Sequence, residues 1–262
     1  MSPLQAVILA VVEGLTEYLP VSSTGHLIIS SALMGINEQP FTKDYTVIVQ
    51  FGAILSVLVL YWRKFLSGVS FYKKLIVGFL PAAILGLSVK SHIDALLGNV
   101  WVVAIALILG GVVLLVLDRI FDPKRESQDL DSLTYRQSAL IGVFQCLAFV
   151  PGVSRAAATI VGGLSQKLSR RSAAEFSFYL AVPTLTGATC LKLMKVMKTI
   201  QPDQIDILLI GNLISFIVGI LTIRMFIGYL VSKGLKMFGY YRIILGVSLL
   251  ILLATGHSLK VL

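Results

Sequence analysis

Charge is what this chain has least of. Charged residues make up 13% of its 262 positions, against roughly 25% in soluble domains. With 56% hydrophobic residues and a mean hydropathy of +0.90, a water-soluble fold is not expected. Cysteine is also scarce. Cys146 and Cys190 both fall in apolar segments and read as small core residues, so neither a disulfide scaffold nor a zinc site is expected. No basic segment precedes the first apolar stretch, so no cleavable signal peptide is expected. Acidic residues number 13 against 22 basic ones, a net charge of +9. The basic residues sit in short clusters beside apolar runs. That distribution orients membrane proteins and points to membrane lipids as partners, with no nucleic acid.

What is there is a series of apolar runs. About 20 such residues cross a bilayer as a helix, and six segments come close: 45–62, 75–89, 100–117, 176–191, 207–231 and 243–254. Two further apolar regions are interrupted. Region 4–35 breaks at Glu13 to His26, and region 138–164 breaks at Pro151-Gly152-Val153-Ser154-Arg155. Each half is roughly 9 to 13 residues, too short to cross but suited to a re-entrant helical hairpin.

Loop charges orient these elements. Arg63, Lys64, Lys73 and Lys74 place one loop in the cytoplasm, and the loop over 90–99, with one Lys, fits the outside. Arg119, Lys124, Arg125 and Arg136 bring the chain back inside, and Lys167, Arg170 and Arg171 follow the second broken region. Lys192, Lys195 and Lys198 then argue for the inside where alternation requires the outside, which is a conflict.

The element order repeats: one hairpin and three spans, then another hairpin and three spans. Tyr18-Leu19-Pro20-Val21-Ser22 is echoed by Phe149-Val150-Pro151-Gly152-Val153-Ser154, with one inserted glycine. The expected architecture is an all-α integral membrane protein in one membrane domain over 1–262. Repeats over 1–120 and 136–262 form an inverted-topology pair, with discontinuous helices meeting near the midplane.

The interruptions hold the chemistry. Glu13 and Glu17 are four residues apart, so a helix presents both carboxylates on one face. The pair is tenable if a divalent cation such as Mg²⁺ or Ca²⁺ bridges it or if one carboxyl is protonated; snorkelling at a helix end is the plainer alternative. After Pro20 come Ser22, Ser23 and Thr24, where free amides and hydroxyls at a helix start favour an anion. Capping explains one hydroxyl but not three in a row. His26, three residues beyond Ser23, suits proton transfer. Arg155 stands between two apolar half-helices and needs as partner either a carboxylate, Glu13 or Glu17, or a phosphate. Arg224 reads as snorkelling, Glu175 as a surface pairing with the arginines before it, and Arg242, beside Tyr240 and Tyr241, as an interfacial anchor. His92 and His257 carry no context. The set points to an anionic, phosphorylated, lipid-soluble substrate.

Glu13-Gly-Leu-Thr-Glu17-Tyr-Leu-Pro-Val-Ser22-Ser23-Thr24-Gly-His26 and Pro151-Gly-Val-Ser154-Arg155 resemble the two motifs of the bacterial undecaprenyl-diphosphate phosphatase family, also called the bacitracin-resistance protein family. Tyr240-Tyr241-Arg242-Ile243 resembles a further family feature. The resemblance implies a phosphatase of the cytoplasmic membrane that removes the terminal phosphate of undecaprenyl diphosphate. It acts on the outer face and regenerates the lipid carrier for peptidoglycan. It implies a glutamate pair at Glu13 and Glu17, an essential serine at Ser23, a histidine at His26 and an arginine at Arg155, with divalent-cation dependence and dimerisation. Ser22, Thr24, Ser154, Arg155 and Thr159 are the expected phosphate-binding residues and Glu13 and Glu17 the expected metal ligands. Ala156-Ala157 departs from the family's usual Ser-Gly pair, which leaves Ser154 or Thr159 to supply a hydroxyl. The inverted repeat also fits a polyprenyl-phosphate flippase or transporter.

Overall fold

A computed structural model describes residues 1–88, 99–120 and 128–255. Loop readings that rest on Lys90, His92, Lys124, Arg125 and His257 lie outside the described residues. Among the described residues the chain is all-helical, without named strands. The first broken region becomes helices α1 (Pro3–Thr16) and α2 (Ser23–Leu33). At 1.5 Å per residue, α1 reaches about 21 Å and α2 about 16 Å, short of the roughly 30 Å hydrocarbon core. Next come α3 (Pro40–Ile48), α4 (Gln50–Leu60), the short α5 (Trp62–Phe65), α6 (Val69–Ser88) and α7 (Val100–Ile120). The second broken region becomes α8 (Tyr135–Gln145), a 3₁₀ turn (Cys146–Phe149) and α9 (Arg155–Ser165). The chain continues through α10 (Arg170–Val196), α11 (Pro202–Lys233) and α12 (Lys236–Ala254).

Five segments among the described residues are long and apolar enough to span: Pro40–Leu60 (α3 with α4), α6, α7, α11 and α12. With these the chain is a multi-pass membrane protein. The sixth expected span, 176–191, lies within the 27-residue α10. That helix has ample length, but Ser177 and Thr189 are buried in the protein, so its polarity faces inward rather than to lipid. Cys190 departs from the expected core position: it is exposed, since a small apolar residue is equally at home against lipid.

Helix packing in the two halves corresponds. α1 packs on α11 as α8 packs on α6, and α4 packs on α11 as α10 packs on α6; α7 and α12 pack on each other most extensively of all. Close approach explains the glycines. A Cβ on Gly14 of α1 would meet the Ser215 carbonyl of α11 at 2.8 Å, and one on Gly142 of α8 would strike the Gly78 carbonyl of α6. Each first arm therefore lies backbone to backbone against its long neighbour, which sets how deep each turn reaches.

Ion pairs group the loops. Lys64 meets Asp131 at 2.5 Å and Arg170 meets Asp118 at 2.7 Å, so loops read as cytoplasmic converge at one end. Lys64 beside it holds the exposed Asp131 carboxyl below its usual range. Glu175 pairs with Arg171 as expected, at 3.0 Å. Lys192 pairs with Asp44 at 2.6 Å, which puts the far end of α10 beside α3; the conflict in the positive-inside count stands, since that count ignores acidic partners.

Candidate active site

The two turns share one backbone device. Ser22 and Ser154 are the N-caps of α2 and α9, with φ of 74° and 73°. Such conformations cost a non-glycine residue about 1–3 kcal/mol. Each is held by its own cap: Ser22 Oγ accepts from Gly25 N at 3.3 Å, and Ser154 Oγ accepts from Ala157 N at 3.2 Å. The inserted glycine of the second turn, Gly152, has φ 94°, and a Cβ there would meet the Val103 carbonyl of α7 at 2.6 Å. Two helix starts thus converge, and first-turn N–H groups favour an anion.

Between them lies a hydrogen-bonded triad. Arg155 donates to Glu17 Oε1 from Nη2 at 3.1 Å and from Nε at 3.4 Å, and Nη1 donates to the Ser177 carbonyl at 2.8 Å. Ser23 Oγ donates to the other Glu17 oxygen at 2.5 Å. The side chains of Arg155 and Glu17 are only 9% and 4% exposed. Away from water, a charge-assisted network of this kind is strong and directional. Of the two expected acidic partners for Arg155, Glu17 is the one it binds.

Glu13 is fully buried beside Glu17, and neither of its carboxyl oxygens has a hydrogen-bond partner. An orphaned buried carboxylate is costly, and a cation or a proton removes that cost. The donor set fits a hard divalent cation held by Glu13 and Glu17. No cluster of three or more His, Cys, Asp or Glu exists among the described residues, so water and phosphate oxygens would complete the shell, a common arrangement for Mg²⁺.

His26 sits to one side of this triad. Its Nδ1 donates to the Ser22 carbonyl at 2.7 Å, and its Nε2 is 2.6 Å from the Tyr241 hydroxyl. Neither nitrogen bonds Ser23, whose proton acceptor is Glu17. Thr24 is half-buried. Thr159 lies behind the site, fully buried, donating to the Arg155 carbonyl at 2.8 Å and meeting Ser177 Oγ at 2.6 Å. Like Ser154, it has its partners inside the protein. Ala156 is also fully buried.

Arg242 overturns its reading as an interfacial anchor. It is fully buried, and all five of its N–H groups reach carbonyls. Nη1 donates to Pro20 at 3.1 Å and Val153 at 2.9 Å, and Nη2 to Gly152 at 2.8 Å and Ala106 at 3.1 Å; Nε reaches Leu107 at 3.4 Å. One guanidinium fastens both turns to α7. Hydropathy starts the last span at Ile243, whereas α12 begins at Lys236, so Arg242 lies nearly two turns inside the helix. Gly110 makes room for it, since a Cβ there would fall on the guanidinium. The Gly110-Gly111 pair inside an apolar span was a signal of close approach to α7, but not that Arg242 makes it. Ser177 gave none, because its contribution is a backbone carbonyl.

Residues 6–248 match the family model described as Bacitracin resistance protein BacA. An undecaprenyl-diphosphatase of Bdellovibrio bacteriovorus is 53% identical over 261 residues, covering 99% of each chain. The undecaprenyl-diphosphatase of Flavobacterium johnsoniae is 51% identical over 264 residues and all of both chains. That of Aquifex aeolicus is 41% identical over 247 residues, 94% of this chain and 96% of its own.

Proposed function

The chain belongs to the Bacitracin resistance protein BacA family, and from that premise we propose that it is an undecaprenyl-diphosphatase. It hydrolyses undecaprenyl diphosphate to undecaprenyl phosphate and inorganic phosphate, recycling the lipid carrier for peptidoglycan synthesis and conferring bacitracin resistance. The observation that supports this most is the buried Arg155–Glu17–Ser23 triad at two converging helix starts. A planar guanidinium matches phosphate bidentately, so Arg155 binds the terminal phosphate. Ser22, Thr24 and the first-turn amides of α2 and α9 line the same anion site.

Glu17 accepts the Ser23 proton, which directs a Ser23 lone pair at the phosphorus. The anhydride P–O bond breaks and undecaprenyl phosphate leaves; the new P–O bond forms either to Ser23, whose phosphoester a water then hydrolyses to inorganic phosphate, or directly to a water whose proton passes through Ser23 to Glu17. A trapped phosphoserine separates the two routes. His26 completes the set through the Ser22 carbonyl. Glu13 and Glu17 would hold the divalent cation, which when bound supplies neutralisation of phosphoryl charge.

Repeats 1–120 and 136–262 in inverted topology agree with the matched packing of α1 and α8. The clustered basic loops around Lys64 and Arg170 favour a cytoplasmic membrane location with the first hairpin entering from the outer face, where the phosphate is released. A homodimer is proposed on family resemblance alone.

The test is phosphate release by purified protein, with and without chelator, on long- and short-chain polyprenyl diphosphates. Activity should need a divalent ion and fail in Glu17→Ala and Arg155→Ala; full activity in both variants would sink the site assignment. The same matched packing favours a second reading, lipid translocation. Its support would be lipid movement across vesicles by Arg155→Ala, which does not hydrolyse.

A further inference from the structure

The contacts of His26 lead to a residue outside the triad. His26 faces three groups: the Ser22 carbonyl on its own hairpin, and Tyr241 and the charged Arg242 on α12. A carbonyl only accepts, so Nδ1 carries the proton. In the neutral ring Nε2 is then an acceptor, and the Tyr241 hydroxyl donates to it. The two rings lie near-parallel, 7° apart with centroids at 5.6 Å. Tyr241 cannot drift, because the next residue, Arg242, is pinned by five carbonyls. The far end of this chain of contacts is Ser22, the strained residue (φ 74°) that sets Ser23 against Glu17. The second turn has no such support: the residue four beyond its cap is Ala158, where the first turn has His26.

We propose that Tyr241 is a positioning residue of the reaction: its hydroxyl orients His26, and His26 braces the Ser22 turn that presents Ser23. Tyr241 touches neither substrate nor the reacting atoms; it acts through His26. The proposal rests on the reading of Ser23, Glu17 and Arg155 as the hydrolytic site, and it gives His26 a mechanical part there.

The experiment compares Tyr241→Phe, His26→Gln and the double variant with the full-length protein. Tyr241→Phe keeps the ring and its stacking and removes only the hydroxyl. Its kcat should fall about tenfold, the lower end of what an outer-shell partner contributes, with KM and melting temperature unchanged. The double variant should be no slower than His26→Gln, because the two act in one chain. Only three histidines are present, so selective ¹⁵N-histidine labelling reads the tautomer. The resonance lost in His26→Gln should report a fixed Nδ1–H form in the wild type and a tautomer mixture in Tyr241→Phe.

Wild-type kcat in Tyr241→Phe, additive losses in the double variant, or a tautomer mixture already in the wild type would each overturn the proposal. Full activity in His26→Gln would also overturn it while leaving the hydrolytic site standing, since that site is read separately by Arg155→Ala and Glu17→Ala.

Discussion

The first turn carries two carboxylates, a hydroxyl cluster and a histidine, while the second, built on the same capped serine with φ near 73°, carries one arginine. The backbone is shared and the chemistry is not. The position after the cap is Ser23 in one turn and Arg155 in the other, and each binds a different carboxylate oxygen of Glu17. Two turns of one backbone form can therefore place unlike charges at one point, each supplying what the other lacks. The two turns are also held differently. The first rests on His26, and the second on Gly152 pressed against α7.

The sharpest way to break this comparison is to alter the single group the second turn contributes. Arg155→Lys keeps the charge but loses the planar fork, and kcat/KM for phosphate release should fall about 10²-fold or more. A loss smaller than about threefold would mean that a point charge suffices and that the geometry of the second turn is incidental. Arg242→Met removes what both turns share. It strips donors from four buried carbonyls and a longer fifth contact, and should lower stability by about 3 kcal/mol or more, read by thermal unfolding in detergent, with activity falling alongside. The smallest effect sharpens the likeness. Ser154→Ala keeps the strained φ and loses the cap, for about 1 kcal/mol of destabilisation, whereas Ser154→Gly loses the cap but relieves the strain and should stay within about 0.5 kcal/mol of wild type. Equal shifts at Ser22 would show the two backbones to be equivalent; only the Ser22 variants should also slow catalysis.

Much of this is legible in the sequence. Apolar runs of near-spanning length gave the helices, and the breaks at Glu13–His26 and Pro151–Arg155 gave both hairpins, because polar residues in hydrocarbon mark a site. The echo of Pro20-Val21-Ser22 in Pro151-Gly152-Val153-Ser154 fell on two serines that the structure holds in one conformation. What could not be read is partnership. Nothing in sequence says that Arg155 chooses Glu17 over Glu13, that Glu17 rather than His26 accepts the Ser23 hydrogen bond, or that the Ser177 carbonyl is an acceptor. Arg242 was misplaced for a specific reason: hydropathy locates where lipid begins, while the helix starts earlier, under Lys236-Met237-Phe238.

The guanidinium of Arg242 joins Pro20 across 222 positions of sequence and has an order of assembly built into it. Contacts so distant in sequence form late, and during synthesis the earlier elements emerge first. Both turns, with Glu17, Ser23 and Arg155, are synthesised before the helix that fastens them. A nascent chain stalled ahead of α12 holds Glu17, Ser23 and Arg155 but lacks the guanidinium that ties both turns to α7. Full rigidity of the two turns is thereby expected only once the helix carrying Arg242 has packed against α7.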